Sequence, residues 1–499
     1  MADPFELFRQ SNVPPKPRSS ISYSPVASVT TSSDVVAVHQ AGAVPVEENS
    51  AADKFPLTNT GNAEFFAQRF SGRVAYRHDL RQWLIWRSPV WRPDVDAEVW
   101  RLALEAVRER QRLALGIADA DKKKQALRFL LGCEDDYRLR SMLVIAGTLT
   151  SLAKSGVEFD RRDDLLAVEN GVIEMQTGEF REGRPGDYLT QCAAVAYDPQ
   201  ATAPRWERFV NEIFGGDEEL AAFLQRAVGY TLTGWTLEQV FFFCYGSKGA
   251  NGKSTLFEVL RALLGDFATN TSFETFAGDA YKGSHQESLM VLENARLVTA
   301  LESSHAGGLN EAVVKIVTGG DPLTGSRKYQ RTRTFMPKFK LWLAANSLPR
   351  VKDVSPAFWR RVILLPFLER FEGERADKHL SDKLKSELPG ILNWALAGCA
   401  AYQQQGLNPP RRCADAAEAW RVENDPLAEF LSTCKTGPRE EVQASELYAS
   451  YERWCIQNGV AQAVKNPSHF SRLVQAHGFE RARRANGRFF VGIATNDAK

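Results

Sequence analysis

The 499-residue sequence lacks an excess of charge, paired cysteines and any long apolar run. Lysine and arginine number 62 against 61 aspartates and glutamates. The chain is therefore no polycation, and any nucleic-acid surface has to be a local patch. Seven cysteines are scattered without a CxxC pair or a nearby histidine at ligand spacing. That argues against a zinc site and a disulfide framework, and fits a reducing cytosol. No apolar stretch approaches the roughly 20 residues that span a bilayer. The N-terminal MADPFELFRQSNVPPKP has no apolar signal-peptide core. These absences together predict a soluble cytoplasmic protein with no membrane partner.

What is present is enough chain for about three domains. Residues 1–60, rich in Ser, Val, Pro, Thr and Ala without a helical period, read as a flexible arm. Residues 61–200 read as a mixed α+β domain. It has a strand over 81–87, helices over 98–112 and 139–154, and a hairpin in LLAVENGVIEMQTGEF that turns at Asn170-Gly171. Trp83, Trp86 and Trp91 read as core in preference to base-stacking residues. Residues 203–235 carry two amphipathic helices, with apolar faces on Trp206, Phe209 and Ile213 and on Leu220, Phe223 and Leu224.

The chemistry concentrates in VFFFCYGSKGANGKSTLFEVLRALL. Its apolar start, Val240 to Cys244, reads as a buried strand, and Leu256, Val259, Leu260, Leu263 and Leu264 recur at helical spacing up to a cap at Gly265. Between them lie Gly246, Ser247, Gly249, Ala250, Asn251, Gly252, Lys253, Ser254 and Thr255. Strand, glycine loop, Lys-Ser and helix is the order that cradles a triphosphate. Glycines let backbone N–H groups turn onto the β- and γ-phosphates, and the helix N-terminus adds partial positive charge. Lys253 supplies an ammonium to the same oxygens, and the Ser254 hydroxyl is the predicted Mg²⁺ ligand. One spacing departs from the usual pattern: Ser247 stands where a glycine is normal, and Gly246 comes one residue early.

Downstream, RLVTALE reads as a second strand ending in Glu302, placed to polarise water and to help hold Mg²⁺. An ordinary strand-end carboxylate reads the same way. A third strand over 339–346 ends in Asn346, which is either a water-orienting residue or a turn residue beside Ser347 and Pro349. Residues 323–335 read as a projecting hairpin whose Arg327, Lys328, Arg331 and Arg333 suit a phosphate backbone. Arg360 and Arg361 read equally as a finger completing another subunit's site or as a surface ion pair. From 415 onward, helices over 425–433, 444–458 and 467–477 precede a basic hairpin turning at Asn486-Gly487. That is a winged-helix pattern, with Arg481, Arg483, Arg484 and Arg488 approaching phosphate.

The succession GSKGANGKST, LVTALE, KIVTGGDPLTGSRKY, KLWLAANSLPRV and FWRRVILLPF resembles the superfamily 3 helicases. More narrowly it resembles the phage and plasmid primase–helicase family related to the poxvirus primase–helicase NTPase. LLAVENGVIEMQTGEF, DYLTQCAAVAYDP, PRWERFVNEIF and FLQRAVGYTLTG are similar to the domain that precedes the helicase core in that family. The resemblance covers residues 62–371 and, more weakly, the C-terminus. It implies an α/β, AAA+-like P-loop core over 201–400, preceded by the mixed α+β domain and followed by a winged-helix-like domain over 415–499. It further implies ATP and Mg²⁺ at the interfaces of a homo-oligomeric ring, usually a hexamer, acting on single-stranded or forked DNA. By this resemblance Lys253 and Ser254 hold phosphate and Mg²⁺, Glu302 is the acid of the second motif, and Asn346 is the sensor. Arg361 is the finger, with Arg360 in reserve, and the hairpin of Arg327 and Lys328 tracks DNA. A separate primase or replication initiator is an implied partner, in a bacterial host cytoplasm. Residues 1–60 hold no zinc-knuckle cysteines, and Asp160, Asp163 and Asp164 read as solvated surface, so primer synthesis is not expected of this chain. Two other readings compete. A P-loop small-molecule kinase leaves the basic hairpin and wing unexplained, and an origin-binding loader would use ATP for assembly without unwinding.

Overall fold

The computed structural model describes residues 54–278, 289–302, 308–325, 333–351, 353, 355–425, 427–459 and 464–496. The expected arm over 1–60 lies almost wholly outside the described residues. Among them the chain divides into two units, one of residues up to 161 with 184–190, the other of 162–183 and 191 onward.

The first unit starts where Thr58 accepts a hydrogen bond from Gly61 N at 3.0 Å and opens helix α1 (Asn59–Phe70). Strands β1 (Val74–Arg77), β2 (Gln82–Arg87) and β3 (Val90–Pro93) follow, then helices α2 (Glu98–Leu115), α3 (Ala120–Gly132) and α4 (Asp136–Ala146), and strand β4 (Ala153–Lys154). The sheet order is β3-β2-β1-β4, with β4 parallel to β1. Phe66, Phe70, Ile85, Leu102, Val107, Leu139 and Met142 form its core. Trp83 meets Phe66 edge-on, and Trp91 packs against Trp86 and Phe159, so the tryptophans serve packing here. The helix expected over 139–154 is corrected: α4 stops at Ala146. Gly147 lies so close to the Tyr76 ring that a Cβ would sit 3.2 Å from it, and the chain beyond is drawn into pairing with β1.

The second unit begins with the hairpin β5 (Leu165–Val168) and β6 (Gly171–Glu174), followed by β7 (Phe180–Arg181). Val168 faces Gly171, so the turn residues are Glu169 and Asn170, one position earlier than expected. The Asn170 side chain explains the shift, since it bonds both the N–H and the carbonyl of Tyr197. Helices α5 (Pro204–Ile213) and α6 (Glu218–Thr231) lead into a parallel sheet of β8 (Phe241–Tyr245), β9 (Ala268–Ser272), β10 (Leu297–Leu301), β13 (Lys340–Ala345) and β14 (Val362–Pro366). Helix α7 (Lys253–Leu264) follows β8, α8 (Glu311–Gly319) follows β10, and β11 (Leu323–Gly325) pairs antiparallel with β12 (Arg333–Phe335) before β13.

The apolar runs of this sheet follow from its being covered on both faces. Phe242 stacks on Trp342 at 4.3 Å on one face, while Phe241 and Phe243 pack on Phe358 and Trp420 on the other. The strand order is β14-β8-β13-β10-β9. The chain leaves β8 for the far edge, steps back through β10 to β13, then crosses beyond β8 to β14. Connections from the neighbours β8 and β13 thus run in opposite directions, and the carboxyl ends of such a strand pair are where open α/β sheets bind ligands.

Helices α9 (Leu388–Gln405), α10 (Arg411–Glu423) and α11 (Ala428–Ser432) come next. A Cβ on Gly398 would lie 2.0 Å from Gln225 O, and one on Gly229 2.1 Å from Cys399 N, so α6 and α9 touch through bare backbone. The expected helix over 425–433 is shorter because the Asp425 carboxylate accepts from Leu427 N and Ala428 N. The chain ends in β15 (Lys435–Gln443), α12 (Ala444–Gln457), α13 (Pro467–Ala476), β16 (Glu480–Arg484) and β17 (Gly487–Ala494), the strands in order β15-β17-β16. No described helix is long and apolar enough to cross a membrane.

Candidate functional site

The loop after β8 is folded onto itself by one side chain. Asn251 Nδ2 donates to Gly246 O at 3.3 Å and to Lys248 O at 2.7 Å. A Cβ on Gly246 would meet that same amide at 2.2 Å and Phe367 O at 2.3 Å, so only glycine fits there. This accounts for the unusual spacing: the close approach falls at Gly246, while Ser247 is exposed and free of that demand. Gly252 has φ +87°, and a Cβ there would strike Ile213 at 2.6 Å, whereas Gly249 borders open space. Ala250 also takes positive φ. Gly252 offers no side chain to the first-turn amides of α7, which leaves those N–H groups for a ligand.

Lys253 opens α7 with its side chain turned inward. Its Nζ donates to Gly246 O and to Asn346 Oδ1, each at 3.0 Å. Burial holds this ammonium below the ordinary lysine value, with Glu302 acting in the opposite sense. Glu302 follows β10 and is gripped by the residues that follow β13. Its Oε1 accepts from Ser347 Oγ at 2.9 Å, and its Oε2 from the backbone N–H of Asn346 at 3.2 Å. Lys253, Asn346, Ser347 and Glu302 are thus linked at the carboxyl ends of β8, β13 and β10. The Ser254 hydroxyl is exposed at the same helix start. Among the described residues no cluster of three His, Cys, Asp or Glu side chains forms a metal cage. Mg²⁺ asks for no such cage, since it commonly takes one or two protein oxygens and completes its shell with phosphate and water.

Two features of the site escape sequence reading. Ser347 orients Glu302 but looks like a turn residue. A cleft of about 230 Å³ adjoins the loop, lined by Arg205, Phe209, Ala250, Thr255, Phe371 and Arg375 among others. Phe371 N donates to Ala250 O at 2.8 Å, and the Arg375 guanidinium lies 5.1 Å from the Phe371 ring. No local motif announces Phe371, because only the fold carries it back to the loop.

The remaining predicted residues lie elsewhere. Arg360 and Arg361 precede β14, at the amino edge of the sheet. Arg360 is exposed and Arg361 half-buried. Arg361 donates to Ala357 O, while its Nε is buried without an acceptor. Burial lowers its pKa, Arg360 pushes the same way, and Asp321 opposes. Arg327, Lys328 and Arg331 lie outside the described residues; Arg333, on β12, is half-buried and 3.7 Å from Glu293. The four arginines of the last hairpin are divided between the two sides of its sheet. Arg483 faces Arg488 across the ladder, Arg481 shares their side of the sheet, and all three are exposed. Arg484 points to the other side, where Glu441 holds it at 3.0 and 3.1 Å.

Residues 63–215 match a family described as D5 N terminal like. Two viral proteins bearing the name "Putative helicase" are similar over longer spans. L207/L206 of Acanthamoeba polyphaga mimivirus is 26% identical over 324 residues, 60% of this chain and 34% of that protein. Protein 121R of Invertebrate iridescent virus 3 is 25% identical over 348 residues, 62% of this chain and 37% of that protein. The chain carries a D5 N-terminal-like domain and is homologous to these helicase-named viral proteins. The resemblance drawn from the motif succession is borne out. The chain spans about a third of the length of those relatives. Its residues 244–361, from β8 to Arg361, match a family of unknown function. The apo structure of the NrS-1 C-terminal region aligns with 87% of the chain and 99% of its own length, at a TM-score of 0.45 and 11% identity.

Proposed function

We propose that the chain is an ATP-dependent DNA helicase with an AAA+-like P-loop core, serving replication of a phage, plasmid or integrated element. The observation that carries this reading is the linkage of Lys253, Asn346, Ser347 and Glu302 at the carboxyl ends of three adjacent parallel strands. In this reading the loop amides and Lys253 hold the β- and γ-phosphates of ATP. The Phe371 ring and Arg375 receive its base in the adjoining cleft. Glu302, fixed by Ser347, accepts a proton from the attacking water. Asn346, released as Lys253 turns to phosphate, presents its amide to the γ-phosphate. Mg²⁺, held by Ser254 and the phosphates with Glu302 nearby, supplies charge neutralisation of the triphosphate.

Arg361 fits a role in trans. It sits at the amino edge of β14, about 16 Å of strand away from the carboxyl edge where the loop lies. Its own chain's triphosphate is out of reach, so a ring of copies, a hexamer in this reading, is what brings it to one. A buried N–H without an acceptor costs about 1–3 kcal/mol, and a neighbour's phosphate would relieve that cost at Nε. Arg361→Ala is expected to lower kcat for ATP hydrolysis about 10³-fold with nucleotide affinity unchanged. Loss of affinity at unchanged kcat, read from initial rates and equilibrium binding, would contradict the assignment. Phe371→Ala is expected to raise KM for ATP about tenfold at constant kcat, from lost stacking. An unchanged KM would remove Phe371 from the site.

Exposed Arg481, Arg483 and Arg488 suit a winged-helix-like module set on DNA phosphates, and the β11–β12 hairpin suits a strand-tracking element. A separate primase or initiator would complete the replication machinery. The reading is tested by ATP hydrolysis with and without single-stranded DNA. Stimulation by DNA supports it. Hydrolysis indifferent to DNA and coupled to phosphorylation of a small molecule favours a kinase.

A further inference from the structure

The first unit carries a concave cationic surface that no reading above uses. Between α3 and the start of α4 lies an open cleft of about 490 Å³, lined by Asp121, Lys124, Gln125, Arg128, Phe129 and Arg138 beside Gly132. Helix α3 is anchored by Asp119, which accepts from Asp121 N and Lys122 N at 2.9 Å. Its apolar stripe, Ala126 and Leu130, packs against Ala114 and Ile117. Helical periodicity then turns residues 121, 124, 125, 128 and 132 outward as one row. Arg138 closes the opposite wall. Its guanidinium lies 5.5 Å from the Phe129 ring and donates to Phe129 O at 3.4 Å. A Cβ at position 132 would press on that guanidinium at 3.2 Å, so Gly132 is what lets Arg138 lie across the helix end.

The charges are sorted in a way a solvated helix face would not require. Glu134 is held by Arg108 and Gln111, Asp136 by Arg140, and Asp119 is the cap of α3. Asp121 is the carboxylate that lines the cleft, and exposed Asp135, at the N-cap of α4, bonds no amide of its helix with its side chain. Lys124 and Arg128 form no ion pair among the described residues, and both are exposed in the row that lines the cleft. Those two lie one helical turn apart, about 6 Å along the axis. Spaced cations beside a flat guanidinium–ring pair complement a ligand that alternates phosphates with planar bases, namely a single nucleic-acid strand. An acidic peptide would match the cations but not the stacking plane.

We propose that the α3–α4 cleft is a second contact for single-stranded DNA, with Lys124 and Arg128 on successive phosphates and Arg138 beneath a base. Its ligand is the DNA of the helicase reading, but the test is independent of ATP. Binding of a fluorescent oligothymidylate to the full chain is measured by anisotropy at several salt concentrations with no nucleotide present. The double variant Lys124→Ala/Arg128→Ala is expected to bind about tenfold more weakly, and its log–log salt slope to fall by about 1.4, at about 0.7 per phosphate. Both side chains are exposed, so the unfolding temperature of the variant should match that of wild type. Arg138→Lys, which keeps the charge and removes the plane, is expected to lose affinity at constant slope. Unchanged affinity and slope in the double variant would overturn the proposal. So would a change confined to self-association, which would assign the cleft to a second copy of the chain. A chain that binds DNA through this cleft yet hydrolyses no ATP would refute the helicase reading and leave this one standing.

Discussion

Lys253→Ala is expected to stop ATP hydrolysis, with kcat down about 10³-fold or more, as befits loss of a preorganised charge on the transferring phosphate. The effect has two sources in the geometry. The ammonium is turned inward onto the turn between β8 and α7, donating to Gly246 O and Asn346 Oδ1 at 3.0 Å. Its removal also takes the donor from Asn346 Oδ1 and leaves Gly246 O with only the longer bond from Asn251 Nδ2, at about 1–3 kcal/mol for an acceptor that water cannot reach. The loop is therefore expected to loosen as well as to lose charge. Phosphate release under saturating ATP checks the rate, and wild-type turnover would refute the assignment of this loop to triphosphate.

Glu302→Gln is expected to reduce hydrolysis about 10²- to 10⁴-fold, the range that removal of a general base spans, while nucleotide binding persists. Glutamine is nearly isosteric. Its oxygen can still accept the backbone N–H of Asn346, and its amide can donate to Ser347 Oγ, the two places where Glu302 is now held. What disappears is the proton acceptor. Equilibrium binding of a fluorescent ATP analogue beside single-turnover hydrolysis separates the two effects. A variant that hydrolyses at the wild-type rate would demote Glu302 to an ordinary strand-end carboxylate.

Much of this site was legible in the sequence because its signals are local. The apolar run of β8, the glycines and the helical spacing of α7 lie within one short segment, and the fold keeps them in that order. Glu302 and Asn346 were legible as the polar ends of apolar strands. That Lys253 would bond Asn346, and Ser347 would fix Glu302, was not, since strand order sets those meetings and sequence spacing does not report strand order. Phe371 joins the loop for the same reason. Misreadings also trace to distant partners. The Tyr76 ring, which stands against Gly147, comes from a strand far earlier in the chain than the helix that stops there. Alternation along β16 separates Arg484 from Arg481 and Arg483, but nothing in the local sequence shows Glu441 on the same face of the sheet, two strands away.

In the proposed function, triphosphate cleavage at the turn after β8 pulls DNA. The most direct measurement is strand displacement on a forked duplex with a labelled strand, comparing ATP with a non-hydrolysable analogue in the same preparation. Release of the labelled strand with ATP and none with the analogue is the predicted result. Hydrolysis of ATP at full rate with the fork left intact would contradict the account and leave an assembly factor in its place.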